Sequence, residues 1–160
     1  MAVRSFVELK NRFFVGIIGP SKPNKEIYQL AYKVGKEIGK RKWILICGGL
    51  KGVMEAAAKG AKEEGTLTIG ILPQIDKSSA NPYIDIPIAT GLNEARNLAI
   101  VLTSDIIIAL GKGYGTLSEI AFALKYNKKI FGLKTWNKDL PIIKVKSIKE
   151  LIKKISNLAY

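Results

Sequence analysis

The sequence predicts a single α/β domain in which helices cover both faces of a doubly wound, mainly parallel sheet. Apolar runs alternate with amphipathic helical patterns along the whole chain, and this order is typical of strands that return through right-handed helical crossovers. The runs are continuously apolar, as expected when both faces of a parallel sheet are covered. A length of 160 residues suits one core. We therefore expect one domain over residues 1–160, with residues 1–10 unassigned.

Each element follows from a run or a periodicity. Strands are predicted at 13–18, 43–47, 66–72, 105–110 and 129–133, with shorter ones at 86–89 and 142–145. Helices are predicted at 24–40, 52–64, 93–103, 116–127 and 147–158. Asn24 and Asn93 are the expected N-caps of the first and third helices, and Ser147 with Glu150 forms a capping box before the last.

The composition excludes several kinds of chemistry. The chain has no histidine and one cysteine, Cys47, so it cannot build a Ser-His-Asp triad, a Cys-His pair or a Cys/His zinc site. We predict no metal site and no disulfide within the chain. Acid–base chemistry would fall to Asp, Glu, Lys, Tyr or a bound substrate.

The net charge of +13 would attract ligands that carry phosphate, and also nucleic acid. Only four of the 26 basic residues are arginines, and the lysines are spread along the chain. This spread favours a solvated surface over a nucleic-acid interface.

No apolar run approaches the ~18 residues that span a bilayer, and no signal peptide is evident. We expect no membrane partner and a cytoplasmic protein.

Glycines cluster where predicted strands lead into helices. The three junctions are Gly19-Pro20-Ser21, CGGLKGVME at 47–55, and GKGYGTLSE at 111–119. Ligands of doubly wound sheets bind at this carboxyl edge, where glycines let backbone N–H groups approach a phosphate. Tight turns alone would also explain the glycines, and Thr116 with Glu119 has the spacing of a capping box. Two such loops in one small domain favour phosphate binding.

The glycine patterns exclude two common phosphate sites. The Walker pattern does not occur, and neither loop matches G-x-G-x-x-G. No acidic residue ends the following strand to hold a ribose, so a nicotinamide dehydrogenase is disfavoured.

Arg96 lies in the first turn of the helix predicted at 93–103, where a cation is unfavourable. It therefore needs an anionic partner, either the ligand or an acid such as Glu94. Asp105 is interpreted as structural.

Three segments in order, GGLKGVMEAA, GLNEARN and LGKGYGTLSEIAFAL, resemble the motifs of the LOG-like family, once mislabelled lysine decarboxylases. The likeness covers about residues 13–135 and is nearest to the branch that contains the molybdenum cofactor carrier protein and uncharacterised proteins. It implies a Rossmann-like fold, a homodimer or homotetramer, and a site at the carboxyl edge. LOG enzymes cleave the N-glycosidic bond of nucleoside 5′-monophosphates.

The resemblance also implies roles for individual residues. Arg96 and Glu119 would occupy the catalytic positions. Together with the loops described above, the expected phosphate-binding residues are Gly19, Ser21, Gly48, Gly49, Gly52, Lys112, Gly113, Gly115 and Thr116.

Some positions depart from the hydrolase pattern. Gly111 and Lys112 replace the Pro-Gly of the hydrolase loop, Cys47 replaces the first glycine of the other loop, and Asn97 replaces a common Lys. Four functions stay open. The leading one is binding of a nucleotide or a similar phosphorylated pterin-type ligand, and the second is hydrolysis of nucleoside 5′-monophosphates. The third is a non-catalytic molybdenum cofactor carrier, and the fourth, nonspecific nucleic-acid binding, is disfavoured. No cofactor is required, and the expected ligand is an AMP-like nucleotide or molybdenum cofactor.

Overall fold

The computed structural model describes residues 11–136 and 139–159, and in this part of the chain seven strands form one sheet. Every strand pair is parallel, and the strand order is β4-β3-β2-β1-β5-β6-β7. The strands are β1 (Phe14–Ile18), β2 (Ile44–Cys47), β3 (Thr68–Leu72), β4 (Ile86–Ala89), β5 (Ile106–Leu110), β6 (Lys129–Leu133) and β7 (Ile143–Lys144). The predicted fold class is confirmed, and the sheet is wholly parallel. The unassigned residues 1–10 lie outside the described residues.

Five α-helices connect these strands or follow them. They are α1 (Lys25–Lys40), α2 (Val53–Glu63), α3 (Arg96–Thr103), α4 (Tyr114–Lys125) and α5 (Ile148–Ser156). Asn24 caps α1 by accepting from the Ile27 N–H at 2.9 Å, and Ser147 caps α5 by accepting from the Glu150 N–H at 3.1 Å. These two predicted caps are confirmed. The caps expected for α3 and α4 are wrong, as described with the site below.

Alternate residues of the central strands enter two separate cores. In β5, Ile106, Ile108 and Leu110 join the core under α1, α2 and α5, whereas Ile107 and Ala109 join the core under α3 and α4. Because successive side chains of a strand point to opposite faces, a strand covered on both sides must be apolar at every position. This explains the unbroken apolar runs in the sequence.

Helices α1 and α2 pack in backbone contact. A Cβ atom on Gly35 would lie 2.0 Å from the carbonyl oxygen of Ala57, and one on Gly60 would lie 2.2 Å from that of Tyr32. The alanines of α2 at positions 56, 57, 58 and 61 are fully buried. The alanine face of α2 is therefore covered within the chain, whereas Leu102 of α3 is 47% exposed. Oligomerisation stays a prediction from the resemblance.

The order of the strands reverses between β1 and β5. The chain runs outward from β1 through β2, β3 and β4, and then returns to place β5 on the other side of β1. At the amino edge, the Asp105 carboxylate accepts from the Phe14 N–H at 2.7 Å and the Asp105 N–H donates to the Phe14 carbonyl at 2.9 Å. Asp105 thus holds β1 and β5 together, and their carboxyl ends open a crevice.

Across the two described ranges, 11–136 and 139–159, the chain forms no helix with the length and apolarity needed to cross a bilayer.

We predict that Gly35→Ala lowers the free energy of unfolding by about 1–3 kcal/mol, because its methyl group would overlap the backbone of α2. Urea denaturation measures the change. Gly115→Ala is the matched control: no atom lies within 4 Å of a Cβ there, and alanine should add about 0.5–1 kcal/mol within the helix. Equal stability of the Gly35→Ala variant and the unmodified protein would contradict the close packing of α1 and α2.

Candidate functional site

A cavity of about 370 Å³ opens where the carboxyl ends of β1 and β5 diverge. Four segments line it: the loop after β1, the loop after β2 with the start of α2, the start of α3, and the start of α4. The lining residues on these segments include Gly19, Ser21, Lys22, Gly48, Leu50, Met54, Glu94, Arg96, Asn97, Gly113, Tyr114, Gly115, Thr116 and Glu119. We call this cavity the switch-point pocket.

Arg96 is the first residue of α3, and its side chain is buried in the pocket wall. A short 3₁₀ turn, Asn93–Ala95, precedes α3, and no side chain caps either element. The predicted Asn93 cap is wrong because Asn93 has a φ of +50°, a left-handed conformation that asparagine tolerates and that serves the turn instead. The turn still places Arg96 at the carboxyl edge.

The Arg96 guanidinium is held by neutral groups. Its Nη1 donates to the Asn97 side-chain oxygen, and Asn97 Nδ2 in turn donates to Ser118 Oγ on α4 at 3.1 Å. Gly48 leaves the space for it, because a Cβ on Gly48 would lie 2.7 Å from Arg96 Nη2. These contacts fix the guanidinium between α3, α4 and the loop after β2.

No carboxylate of the described residues forms an ion pair with Arg96. The alternative that Arg96 pairs with Glu94 is therefore wrong. Arg96 Nε is buried without any hydrogen-bond partner. Burial lowers the pKa of Arg96, while the charges of Glu119, Cys47 and Glu94 oppose that shift. The side chain stays cationic and lacks an anion.

Helix α4 begins two residues earlier than predicted. It starts at Tyr114 after Gly113, and no side chain caps its first N–H groups. Thr116 therefore lies inside the helix, where its Oγ1 is buried without a hydrogen-bond partner. The capping-box interpretation of Thr116 and Glu119 is wrong for this reason. Free N–H groups at a helix N-terminus and an unpartnered hydroxyl both suit an anion.

Glu119 is buried one turn further along α4 and lines the same pocket. Burial raises the pKa of Glu119 to about 8, and the nearby Arg96 charge opposes this shift only in part. The carboxyl group is therefore largely protonated near neutral pH. A neutral Glu119 does not repel an anion in the pocket.

Cys47 ends β2 behind the pocket and is inert. Its Sγ accepts from the Gly49 N–H at 3.4 Å, and burial raises the pKa of the thiol to about 12. The thiolate that nucleophilic or metal chemistry needs is therefore not populated at neutral pH. Among residues 11–136 and 139–159, no three His, Cys, Asp or Glu residues form a group that could hold a metal ion.

The structure brings most of the predicted site residues to this one pocket. Those that line it are Gly19, Ser21, Gly48, Arg96, Gly113, Gly115, Thr116 and Glu119. Their proposed contacts with a ligand stay predictions.

Three predicted residues do not line the pocket. Gly49 faces β3, because its Cβ would lie 2.5 Å from the Leu72 side chain. Gly52 packs against the loop after β1, where its Cβ would lie 2.5 Å from Pro20 and Ser21. Lys112 lies beside a neighbouring cavity, with its ammonium 5.8 Å from the centre of the Trp136 ring. Gly49 and Gly52 have positive φ angles of 76° and 72°, as the tight-turn interpretation of the glycines requires.

Sequence reasoning missed Lys22 and Tyr114. Lys22 follows Ser21 and lines the pocket. The Tyr114 side chain is 86% exposed at the pocket mouth and stacks on Trp136 at 6.4 Å, and Trp136 Nε1 donates to the Gly113 carbonyl at 3.1 Å. A signal for Tyr114 was present, since it separates two glycines of the third loop. Lys22 lies among other lysines and gave no comparable signal.

The sheet order and the pocket define a Rossmann-like α/β domain with its candidate ligand site at the topological switch point. The chain belongs to the SLOG cluster4 family, whose family model matches residues 12–158. The LOG-like resemblance drawn from the three motifs is thereby confirmed.

Two solved structures share this fold over nearly their whole length. The molybdenum cofactor binding protein from Rippkaea orientalis has a TM-score of 0.87 and 35% identity, over 93% of this chain and 98% of that one. The molybdenum cofactor carrier protein from Chlamydomonas reinhardtii has a TM-score of 0.82 and 34% identity, over 92% and 98%.

Two further relatives match by sequence. An uncharacterized protein from Archaeoglobus fulgidus is 50% identical over 120 residues, which are 75% of this chain and 79% of the relative. A cytokinin riboside 5′-monophosphate phosphoribohydrolase from Mycobacterium tuberculosis is 33% identical over 103 residues, which are 62% of this chain. That match spans 55% of the enzyme's own length.

We predict that stability falls as the pH rises from about 5 to 8, because of Glu119. The unfolded chain releases this proton near the ordinary pKa of 4.5, whereas the folded protein keeps it up to about 8. Between these pH values the folded protein binds a proton that the unfolded chain has released. The stabilisation that this proton gives to the folded state is lost as the pH rises. Urea denaturation should show a decrease of about 2–4 kcal/mol over this pH range.

Glu119→Gln is the control for this titration, since it keeps the shape of the side chain and removes the ionisable group. The chain has no histidine, so imidazole titration does not mask the effect. The same decrease in the Glu119→Gln variant would show that another group causes it.

Proposed function

We propose that the protein binds a small phosphorylated ligand, a nucleotide or a molybdenum-cofactor-type pterin phosphate, in the switch-point pocket. One observation carries this proposal. Within residues 11–136 and 139–159, two buried side-chain polar atoms lack a hydrogen-bond partner, Arg96 Nε and Thr116 Oγ1, and both residues line this pocket. Buried polar groups are almost always satisfied, so a shared anionic ligand accounts for both.

The donors in the pocket suit a phosphate. A guanidinium, a hydroxyl and the first N–H groups of α4 are all hydrogen-bond donors, and Gly113 and Gly115 leave the helix start open, with no atom closer than 3.5 Å to a Cβ built on either. Charge-assisted hydrogen bonds from arginine to phosphate are among the strongest in proteins. The protonated Glu119 adds a further donor rather than a repelling charge.

The relatives support a binding protein more strongly than an enzyme. The two molybdenum-cofactor proteins match this chain over 98% of their own lengths, whereas the phosphoribohydrolase match covers 55% of that enzyme. A domain of the size of this chain is therefore sufficient for a protein that binds or carries molybdenum cofactor. We infer a carrier or binding role as the leading function.

We predict that Arg96→Ala weakens binding of AMP or of a pterin monophosphate by about 10- to 100-fold, because a buried charge-assisted hydrogen bond is lost. Isothermal titration calorimetry measures the dissociation constants, and mass spectrometry of the purified protein identifies any ligand that copurifies.

Arg41→Ala is the matched control, because it removes the same charge at the end of α1, where Arg41 pairs with Glu37 at 2.7 Å. Its affinity should equal that of the unmodified protein. Absence of binding by all these probes, or equal affinity of the Arg96→Ala variant, would contradict the proposal. Retention of oligonucleotides that depends steeply on salt and is indifferent to Arg96 would favour the nucleic-acid alternative.

A second candidate function is hydrolysis of nucleoside 5′-monophosphates. It is favoured by the meeting of Arg96 and Glu119 in one pocket and by the likeness to a phosphoribohydrolase. In this reaction water adds to C1′ of the ribose as the bond from C1′ to the base nitrogen breaks, and the base leaves with a proton. A Glu119 carboxylate would stabilise the oxocarbenium-like transition state.

If the protein is a hydrolase, it releases free adenine and ribose 5-phosphate from AMP, and Glu119→Gln reduces the rate at least about 100-fold while AMP still binds. Chromatography of the products measures both rates. The value of kcat/KM should rise with pH up to about 8, the pKa of Glu119 in the free protein, because the carboxylate form of Glu119 is the active one. Binding without base release from a panel of monophosphates would leave the carrier function alone.

A further inference from the structure

A second cavity, of about 500 Å³, adjoins the switch-point pocket on the side of β2 and β3. We call it the side cavity. Ser21, Lys22 and Leu50 line both cavities, so the two cavities are adjacent. A ligand whose phosphate lies at Arg96 would extend past these three residues to place its other end in the side cavity.

The side cavity has the walls that a planar ring needs. Leu50, Ala80 and Pro82 supply apolar surface, and Lys51 and Glu55 supply charged groups of opposite sign. Asn81 makes one wall rigid, because its Nδ2 donates to the Leu50 carbonyl at 2.7 Å and its Oδ1 accepts from the Tyr83 N–H at 3.0 Å. Apolar faces with a few placed polar groups are typical of sites for small molecules.

Glu55 is the carboxylate that lines this cavity. It lies in the first turn of α2 and is half-buried. Across the part of the chain that the structure describes, neither Glu55 nor Lys51 forms an ion pair. A carboxylate that faces a basic phosphate site would repel the ligand unless it meets hydrogen-bond donors on that ligand.

We propose that the side cavity binds the ring of the ligand and that Glu55 and Lys51 select a 2-amino-4-oxopyrimidine edge, the edge shared by guanine and pterin. This edge presents an amino donor, a ring N–H donor and a carbonyl acceptor in a row. The two oxygens of Glu55 accept from the two donors, and the Lys51 ammonium donates to the carbonyl. Adenine presents a ring acceptor beside its amino group and leaves Glu55 without its second donor.

This inference rests on the proposed phosphate site and adds the class of ring. The test is calorimetric titration of the full chain with five probes: GMP, IMP, AMP, a pterin monophosphate and ribose 5-phosphate. IMP differs from GMP only by the missing amino group. We expect GMP or the pterin phosphate to bind at least about 10-fold more tightly than IMP and AMP. The better of these two ligands shows which of the two ring systems is preferred.

Glu55→Gln should lower the affinity for the preferred ligand by about 10-fold or more, because the glutamine NH2 group would face an N–H donor of the ring. The affinity for ribose 5-phosphate should stay unchanged, since this probe has no pyrimidine ring. Lys51→Met should weaken the same ligand and spare ribose 5-phosphate. Glu63→Gln, on the same helix, is the control and should change neither. A purely structural role of Glu55 at the start of α2 would alter thermal stability without changing the ratio of GMP to IMP affinity.

The outcomes separate the two proposals. If the nucleotides bind in a manner that depends on Arg96 but neither GMP nor the pterin phosphate binds more tightly than IMP, the ring selection is overturned and the phosphate site stands. If AMP binds more tightly than both GMP and the pterin phosphate, the ring selection is overturned as well. If neither ribose 5-phosphate nor any nucleotide or pterin phosphate binds, the proposed function itself fails.

Discussion

The candidate site depends on one buried cation that has no acidic partner. The buried Arg96 guanidinium has lost its hydration. The hydrogen bond to Asn97 compensates for only part of this loss, because Nε has no hydrogen-bond partner. Folded proteins usually compensate a buried charge with an opposite one. Here the nearest candidate, Glu119, is itself buried and largely protonated at neutral pH. The free protein therefore has a buried guanidinium without a counterion, and the proposed anionic ligand would supply one.

The parallel sheet places this buried cation in a pocket. Arg96 begins the helix after β4, and Thr116 lies in the helix after β5, so about twenty residues separate them in sequence. Both helices lie on the same face of the sheet, and the Asn97–Ser118 hydrogen bond ties them together at their starts. Because all seven strands point the same way, every loop that leads into a helix opens at this one edge. The close approach of Gly52 to Pro20 and Ser21 then holds two of these loops together.

The fold was predictable from the sequence because burial on both faces of a sheet leaves unbroken apolar runs such as IIIAL. The site was predictable only in outline. A glycine in a sequence does not tell which neighbour its missing Cβ would meet. Gly49 and Gly52 therefore looked like Gly113 and Gly115, although only the latter pair would accept a Cβ without a clash. The Thr116–Glu119 spacing likewise fits a cap or a pair of pocket residues, and only the start of the helix at Tyr114 decides between them. Glu55 gave no signal, since its cavity is formed by segments far apart in the chain.

Phosphate binding is favoured by the protonated form of Glu119, whereas hydrolysis requires its carboxylate form. A phosphate bound as proposed would place negative charge near this carboxyl group and raise its pKa further. The higher pKa would favour binding but would remove the carboxylate that glycosidic cleavage needs. A second cation beside Arg96 would offset this effect. The hydrolases that the motifs resemble commonly have a lysine after the arginine, whereas this chain has the neutral Asn97, whose side chain holds Arg96 and Ser118 in place. If a phosphorylated ligand binds as proposed, the electrostatics of the pocket would favour its retention over its cleavage at neutral pH.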